Sequence, residues 1–180
     1  AIFQYGSQAA IDPYEATIYV DDIEIRDEPL IDFAAPSAPR SVIDDFETYA
    51  NSEALRDHYT YENSWHPSVT VASIEPSAPQ GEQCLRLDID FPSGQYPWGS
   101  VRSPILEPFS LPVDGVITLK MKGDASLTEV ADSGTNFWLS FYDAAGNRMN
   151  YITDIAPVIS DDWTSITITM EDFGDTSAID

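Results

Sequence analysis

The chain has 180 residues, 43 % of them hydrophobic and 12 % aromatic, enough for one domain with a sizeable core and too apolar for a disordered polymer. Its 8 Lys and Arg stand against 31 Asp and Glu, a formal net charge of −23 that repels phosphate and excludes nucleic acid and anionic membrane surfaces as partners. No apolar run approaches the roughly 18 residues that a spanning helix needs, so membrane insertion is not expected.

Taken in chain order, the periodicity is that of strands. Residues 16–25, Ala-Thr-Ile-Tyr-Val-Asp-Asp-Ile-Glu-Ile, are rich in β-branched side chains and read as a strand. Residues 52–58 can make one or two helical turns. Segment 84–91 alternates strictly, with Leu85, Leu87, Ile89 and Phe91 on one face and Arg86 and Asp88 on the other. Segment 116–122 sets Ile117, Leu119 and Met121 against Thr118, Lys120 and Lys122. Segment 136–142 sets Phe137, Leu139 and Phe141 against Trp138, Ser140 and Tyr142, and segment 163–170 sets Ile166, Ile168 and Met170 against Ser165, Thr167 and Thr169. Turn chemistry separates them: Pro-Ser-Gly at 92–94, Lys-Gly-Asp at 122–124 and Ala-Gly-Asn at 145–147. The expected fold is all-β, an antiparallel β-sandwich of jelly-roll type.

Residues 29–40 break the pattern. Three prolines among small residues make an extended linker. It divides the chain into a segment 1–28, a linker 29–40 and a sandwich module 41–180. A segment with at most two strands cannot bury a core alone, so residues 1–28 must supply closing strands to a sandwich. The two termini also read as one strand: after Ser177-Ala178-Ile179-Asp180 come Ala1-Ile2-Phe3-Gln4-Tyr5, with Ile179, Ala1, Phe3 and Tyr5 on one face. The chain opens on Ala1 without an initiator Met, as expected of a processed protein or a piece of a longer one. The single Cys84 cannot form an internal disulfide; within its strand pattern it reads as an inert thiol.

Ile43-Asp44-Asp45-Phe46-Glu47 resembles the opening of jelly-roll carbohydrate-binding modules of the galactose-binding-like type, family 11 in particular. The run from Asp162-Trp163 to Asp172-Phe173 is similar to their late strand, and Ile18-Tyr19-Val20-Asp21-Asp22-Ile23 to their closing strand. Here the closing strand comes first, so the chain resembles a circularly permuted member. The resemblance implies a structural Ca²⁺ held by Glu47 and Asp21, with Asp22 or Asp45 as helpers, and a structural role for Trp163 in the core. Such an ion takes six to eight hard oxygens.

A saccharide face needs flat aromatic rings beside groups that bind hydroxyls. Tyr96, Trp98, Arg102, Trp138, Tyr142 and Tyr151 are the candidates, against the simpler reading that these rings pack under loops or in an interface. His58 and His66 fit no metal or nucleophile spacing, so no enzymatic activity is expected. Two functions compete: a self-associating extracellular or cell-surface subunit or tandem repeat, joined head to tail with copies of itself by strand complementation into a filament, and a non-catalytic polysaccharide-binding module of a glycan-processing enzyme. Residues 1–28 are expected to dock on a neighbouring copy rather than on their own domain.

Overall fold

The structure is a computed structural model that describes residues 2–7, 10–11, 14–28, 41–64, 69–76, 78–91, 94–95, 98–102, 115–123, 135–140, 160–169 and 172. The linker 29–40 and the C-terminal residues 177–180 lie outside these. The described chain is all-β and antiparallel, with one short helix among its strands. In order, these are β1 (Ile2–Ser7), β2 (Ala10–Ile11), β3 (Tyr14–Arg26), β4 (Ser41–Asp44), α1 (Ser52–His58), β5 (Thr60–Ser64) and β6 (Val69–Glu75). There follow β7 (Cys84–Phe91), β8 (Gly94–Gln95), β9 (Trp98–Arg102), β10 (Val116–Gly123), β11 (Thr135–Ser140) and β12 (Thr164–Ile168).

A four-stranded sheet runs β11-β1-β9-β5, and a six-stranded sheet runs β12-β10-β3-β7-β6 with β4 also paired to β3; β2 and β8 pair by themselves. Both strands expected from residues 1–28 are therefore interior. β1 lies between β11 and β9, and β3 lies between β10 and β7. In the single chain their partners are strands of the same chain.

The alternation read from the sequence sets the buried face of the six-stranded sheet. Ile18 and Val20 of β3, Leu85 and Leu87 of β7, Leu119 and Met121 of β10 and Ile168 of β12 are at most 1 % exposed. Each such aliphatic side chain contributes about 1.5–3 kcal/mol by leaving water. The other face departs from the expectation of a solvated surface. Thr118 and Lys120 of β10 are as buried as the core, and Trp163 is only half-buried. Trp163 meets the Tyr19 ring edge-on at 6.4 Å, and the Lys122 ammonium sits 4.6 Å from the Tyr19 centroid and 5.3 Å from that of Trp163. The tryptophan assigned to the core thus packs on the outer face instead. A lysine stem beside two strands of small hydroxyl residues gives it apolar surface to lie on there.

The edge strand β6 is closed by α1. Asn51 caps this helix, its Oδ1 accepting from the amides of Glu53 and Ala54 at 3.0 and 2.9 Å. The outward amide of Ile74 donates to Ser52 Oγ at 3.0 Å, and Arg56 Nη1 donates to the Ala72 carbonyl at 3.0 Å. Two backbone groups that would otherwise template another strand are used up.

Asp44 anchors the turn that follows β4. Its Oδ2 accepts from the hydroxyls of Tyr49 and Tyr59 at 2.9 and 2.7 Å, and its Oδ1 from the Phe46 amide at 2.9 Å. Burial and the Asp44 charge both push the Tyr59 hydroxyl far above its ordinary titration range. Asp44→Ala leaves a buried phenol and an amide without an acceptor and should cost about 3 kcal/mol in urea unfolding. Tyr49→Phe should cost about 1 kcal/mol. Equal small losses for both variants would contradict the hub.

Candidate functional site

The closing strand β3 holds two consecutive aspartates, and a β-bulge brings both to one face. Lys120 of β10 pairs with Asp21 while Thr118 pairs with Glu24, so β3 carries one residue more than β10 across this stretch. Asp22 takes up the extra length with φ 44°, a left-handed conformation that Asp tolerates better than most residues. The phase of the strand then shifts. Val20 and Ile23, three apart, are both in the core, and Asp21 and Asp22 between them are both turned from it and buried.

Across from them, Lys120 places its ammonium on Asp22 Oδ2 and, at 2.5 Å, on Gln80 Oε1. Asp21 is different. It is fully buried, and neither carboxylate oxygen has a hydrogen-bond partner. Burial pushes its carboxyl up from 3.8 to about 8, and the neighbouring Asp22 charge adds to this. The Asp22 backbone amide and Lys120 oppose the rise, and the Glu47 charge adds the least to it. Thr118 Oγ1 and Ser165 Oγ, on register positions adjoining Lys120, are also buried without partners.

Glu47 is held on the turn after β4, against residues 81–83, through two Asx-type contacts and a glycine. Asp45 Oδ1 accepts from the Glu47 amide at 3.1 Å, and Phe46 between them adopts φ 60°, unusual for a bulky residue. Glu47 Oε1 accepts from the amides of Glu82 and Gln83 at 2.8 and 3.1 Å. Gly81, at φ 77°, lies so close that a Cβ there would stand 2.1 Å from Oε1.

Of the four residues expected at a Ca²⁺ site, Asp21 and Asp22 are buried side by side on β3, and Glu47 lies exposed on the turn after β4. Asp45 shapes the turn that presents Glu47. Among the described residues, no three acidic, His or Cys side chains form a ready-made metal cage. Lys120 neutralises Asp22, and Asp21 has two hard oxygens that a divalent cation could take, with backbone carbonyls and water completing the shell. Lys120, Gln80 and Gly81 were not singled out by the sequence. Only the Gln-Gly-Glu turn at 80–82 carried a signal for the close approach.

Three of the saccharide candidates, Trp98, Arg102 and Trp138, fall on the four-stranded sheet. Gln4 of β1 pairs with Trp138 of β11 and with Ser100 of β9, which pairs with Glu62 of β5. Gly6 pairs with Asn136 and Trp98, and Ile2 pairs with Ser140 and Arg102. Directly paired residues share a face, so the positions of Trp98, Arg102 and Trp138 lie on one face with Gln4, Ser100 and Glu62. The opposite face holds the register row Leu139, Phe3, Val101 and Tyr61, in which Val101 is fully buried. Tyr96, Tyr142 and Tyr151 lie outside the described residues. No helix among the described residues is long and apolar enough to cross a membrane.

No family model matches the chain, and no curated protein or solved structure matches it either.

The sign of the pH effect at Asp21 follows from its raised value. Between about 4 and 8 the folded chain holds a proton here that the unfolded chain has released, so unfolding free energy should fall as pH rises through that window and level off above it. In chelator, thermal melts should show this decline, and Asp21→Asn should flatten it in part. Glu24, also raised by burial, retains the remainder. A decline unchanged in Asp21→Asn would contradict the burial of an unpartnered carboxyl.

Proposed function

We propose that the chain is a non-catalytic, structural β-sandwich subunit of the cell exterior that associates head to tail with copies of itself, each giving residues 1–28 to the next. The observation that supports it is the place of β3. A strand from the N-terminal segment is the central strand of the largest sheet, and the Pro-rich linker begins three residues after it ends. Without β3, both β7 and β10 present an open inner edge, the acceptor that strand complementation requires. The 12 linker residues at about 3.1 Å each reach roughly 37 Å, enough to hand the segment to a neighbour. A Ca²⁺ between Asp21 on the donated strand and Glu47 on the acceptor fastens the joint. Its two charges replace the proton that a buried Asp21 otherwise holds.

A second reading, a polysaccharide-binding module attached to a glycan-processing enzyme, is favoured by the register that sets Trp98, Arg102 and Trp138 on one face. The resemblance to jelly-roll carbohydrate-binding modules supports both readings, since a fold carries many functions.

The test is the state of association of the full chain. Sedimentation at increasing concentration, with electron microscopy of the same samples, should show oligomers that grow into filaments, strengthened by Ca²⁺ and weakened by Glu47→Gln. A chain that stays monomeric at every concentration, with or without Ca²⁺, would contradict the assembly. Deletion of residues 1–28 should leave an aggregation-prone product that a synthetic 1–28 peptide restores.

A further inference from the structure

Lys120 lies in the middle of β10 with no exposed surface, and its ammonium rests on the Asp22 carboxylate of β3. Register alone does not bring the two together. Across the ladder Lys120 faces Asp21, and the bulge, with Asp22 at φ 44°, turns the second carboxylate onto the ammonium. Asp22 is itself buried, so both ends of the pair are shut off from bulk water. Gln80 Oε1 accepts from the same ammonium at 2.5 Å. Asp21, opposite Lys120 in the register, is buried with neither carboxylate oxygen in a hydrogen bond.

Such a pair is costly to keep as ions, because both charges have left water. It is also an arrangement for reaction. A nitrogen in contact with a carboxylate oxygen lies about 3–3.5 Å from the carboxyl carbon, the separation of a near-attack geometry. Groups held in that way meet at an effective concentration of about 10⁵–10⁸ M, and the exclusion of bulk water disfavours hydrolysis of what they form. The other ion pairs among the described residues lack one or both properties. Arg26 with Glu24 is buried but offers a guanidinium, which does not give up its proton to become a nucleophile. Arg86 with Asp88 is a guanidinium pair in partial contact with solvent.

We propose that Lys120 and Asp22 condense into a side-chain amide, a covalent bond that ties β3 to β10. The ε-nitrogen attacks the Asp22 carboxyl carbon and the C–N bond forms. One carboxyl oxygen leaves with the electron pair of its C–O bond, and two protons from the nitrogen complete it as water. The ion pair thus becomes one amide and one water, with no oxidant, reductant or further reactant. Asp21 relays protons from the nitrogen to the departing oxygen, and Gln80 orients the amine. The product is neutral, so the cost of holding two ions out of water disappears. The bond goes beyond the assembly reading and holds whichever copy supplies β3. Within one chain it locks residues 1–28 into their own sheet; between copies it makes each joint covalent. Because it survives reductant, reducible cross-links between strands are read in the Lys120→Arg background.

The test is the intact mass of the full chain, folded and held at neutral pH and then unfolded in guanidinium, with peptide mapping of the same sample. The monomer, or a covalent multiple, should be lighter than its sequence by one water per bond, and the map should contain a branched peptide that joins Lys120 to Asp22. Lys120→Arg should return the full sequence mass. Asp22→Asn, which keeps the shape of the acyl group, should release one ammonia in place of the water. The deficit reads the bond and the multiple reads which copy supplied β3, so the bond and the assembly fail separately. Full sequence mass in the unaltered chain, or a water deficit that persists in either variant, would overturn the bond. A deficit of one ammonia in the unaltered chain would make Gln80 the acyl donor and overturn the role of Asp22.

Discussion

The six-stranded sheet depends on the insertion of one strand from the far end of the sequence. β3 spans 13 residues, pairs along its length with β10 and β7, and meets β4 beyond its bulge. Its own residues make the insertion selective. A straight alternation would have placed one of two adjacent aspartates in the core. The bulge at Asp22 absorbs the extra residue, keeps Val20 and Ile23 inside, and sets both carboxylates on the side of Lys120. One irregularity of backbone therefore fixes both the hydrophobic register of the sheet and the electrostatics of its outer face, because a slip by one residue would reverse every side chain.

The electrostatics make the placement of β3 conditional. Lys120 satisfies Asp22, and Asp21 remains buried with neither carboxylate oxygen in hydrogen-bond geometry with a donor. Such a group stays neutral by holding a proton or charged by meeting a cation. The two positive-φ non-glycine residues among those described are Asp22 on β3 and Phe46 on the turn after β4. Strain of this kind persists where surrounding structure determines it, and here Asp44 with its two tyrosines does so from below.

Much of this was legible in the sequence. The alternation at 84–91 and 116–122, the short helix at 52–58 and the strand at 16–25 correspond to β7, β10, α1 and β3, because hydrophobic period and turn residues act locally. That residues 1–28 must join a larger sheet followed from arithmetic of buried surface. The expectation that Asp21 and Glu47 share an ion comes from a family resemblance and not from spacing. Lys120 was not legible as a buried charge, since nothing in Thr-Leu-Lys-Met-Lys tells an outer face covered by a turn from one in water. Trp163 misled for a related reason: a large ring beside a half-open sheet lies as readily across a lysine as inside the core. Asp44 and Asp45 look alike in sequence, yet one gathers two phenols and the other presents Glu47, a difference made by the turn at Phe46. Closure of the β6 edge by Ser52 and Arg56 needed the tertiary placement of α1.

The central claim is that β3 of one copy completes the sheet of another. Thr17 of β3 stands directly opposite Asp88 of β7, close enough for a cross-strand disulfide once both are cysteine, and its hydroxyl already reaches the Asp88 carboxylate at 2.9 Å. In a chain carrying Thr17→Cys and Asp88→Cys, with Cys84→Ser to remove the native thiol, assembly followed by oxidation joins whichever strands are paired. A denaturing gel without reductant should then show a ladder of covalent multiples that collapses to one band on reduction. A single band at the monomer mass with both thiols consumed would show that β3 closes its own domain, and would contradict the account.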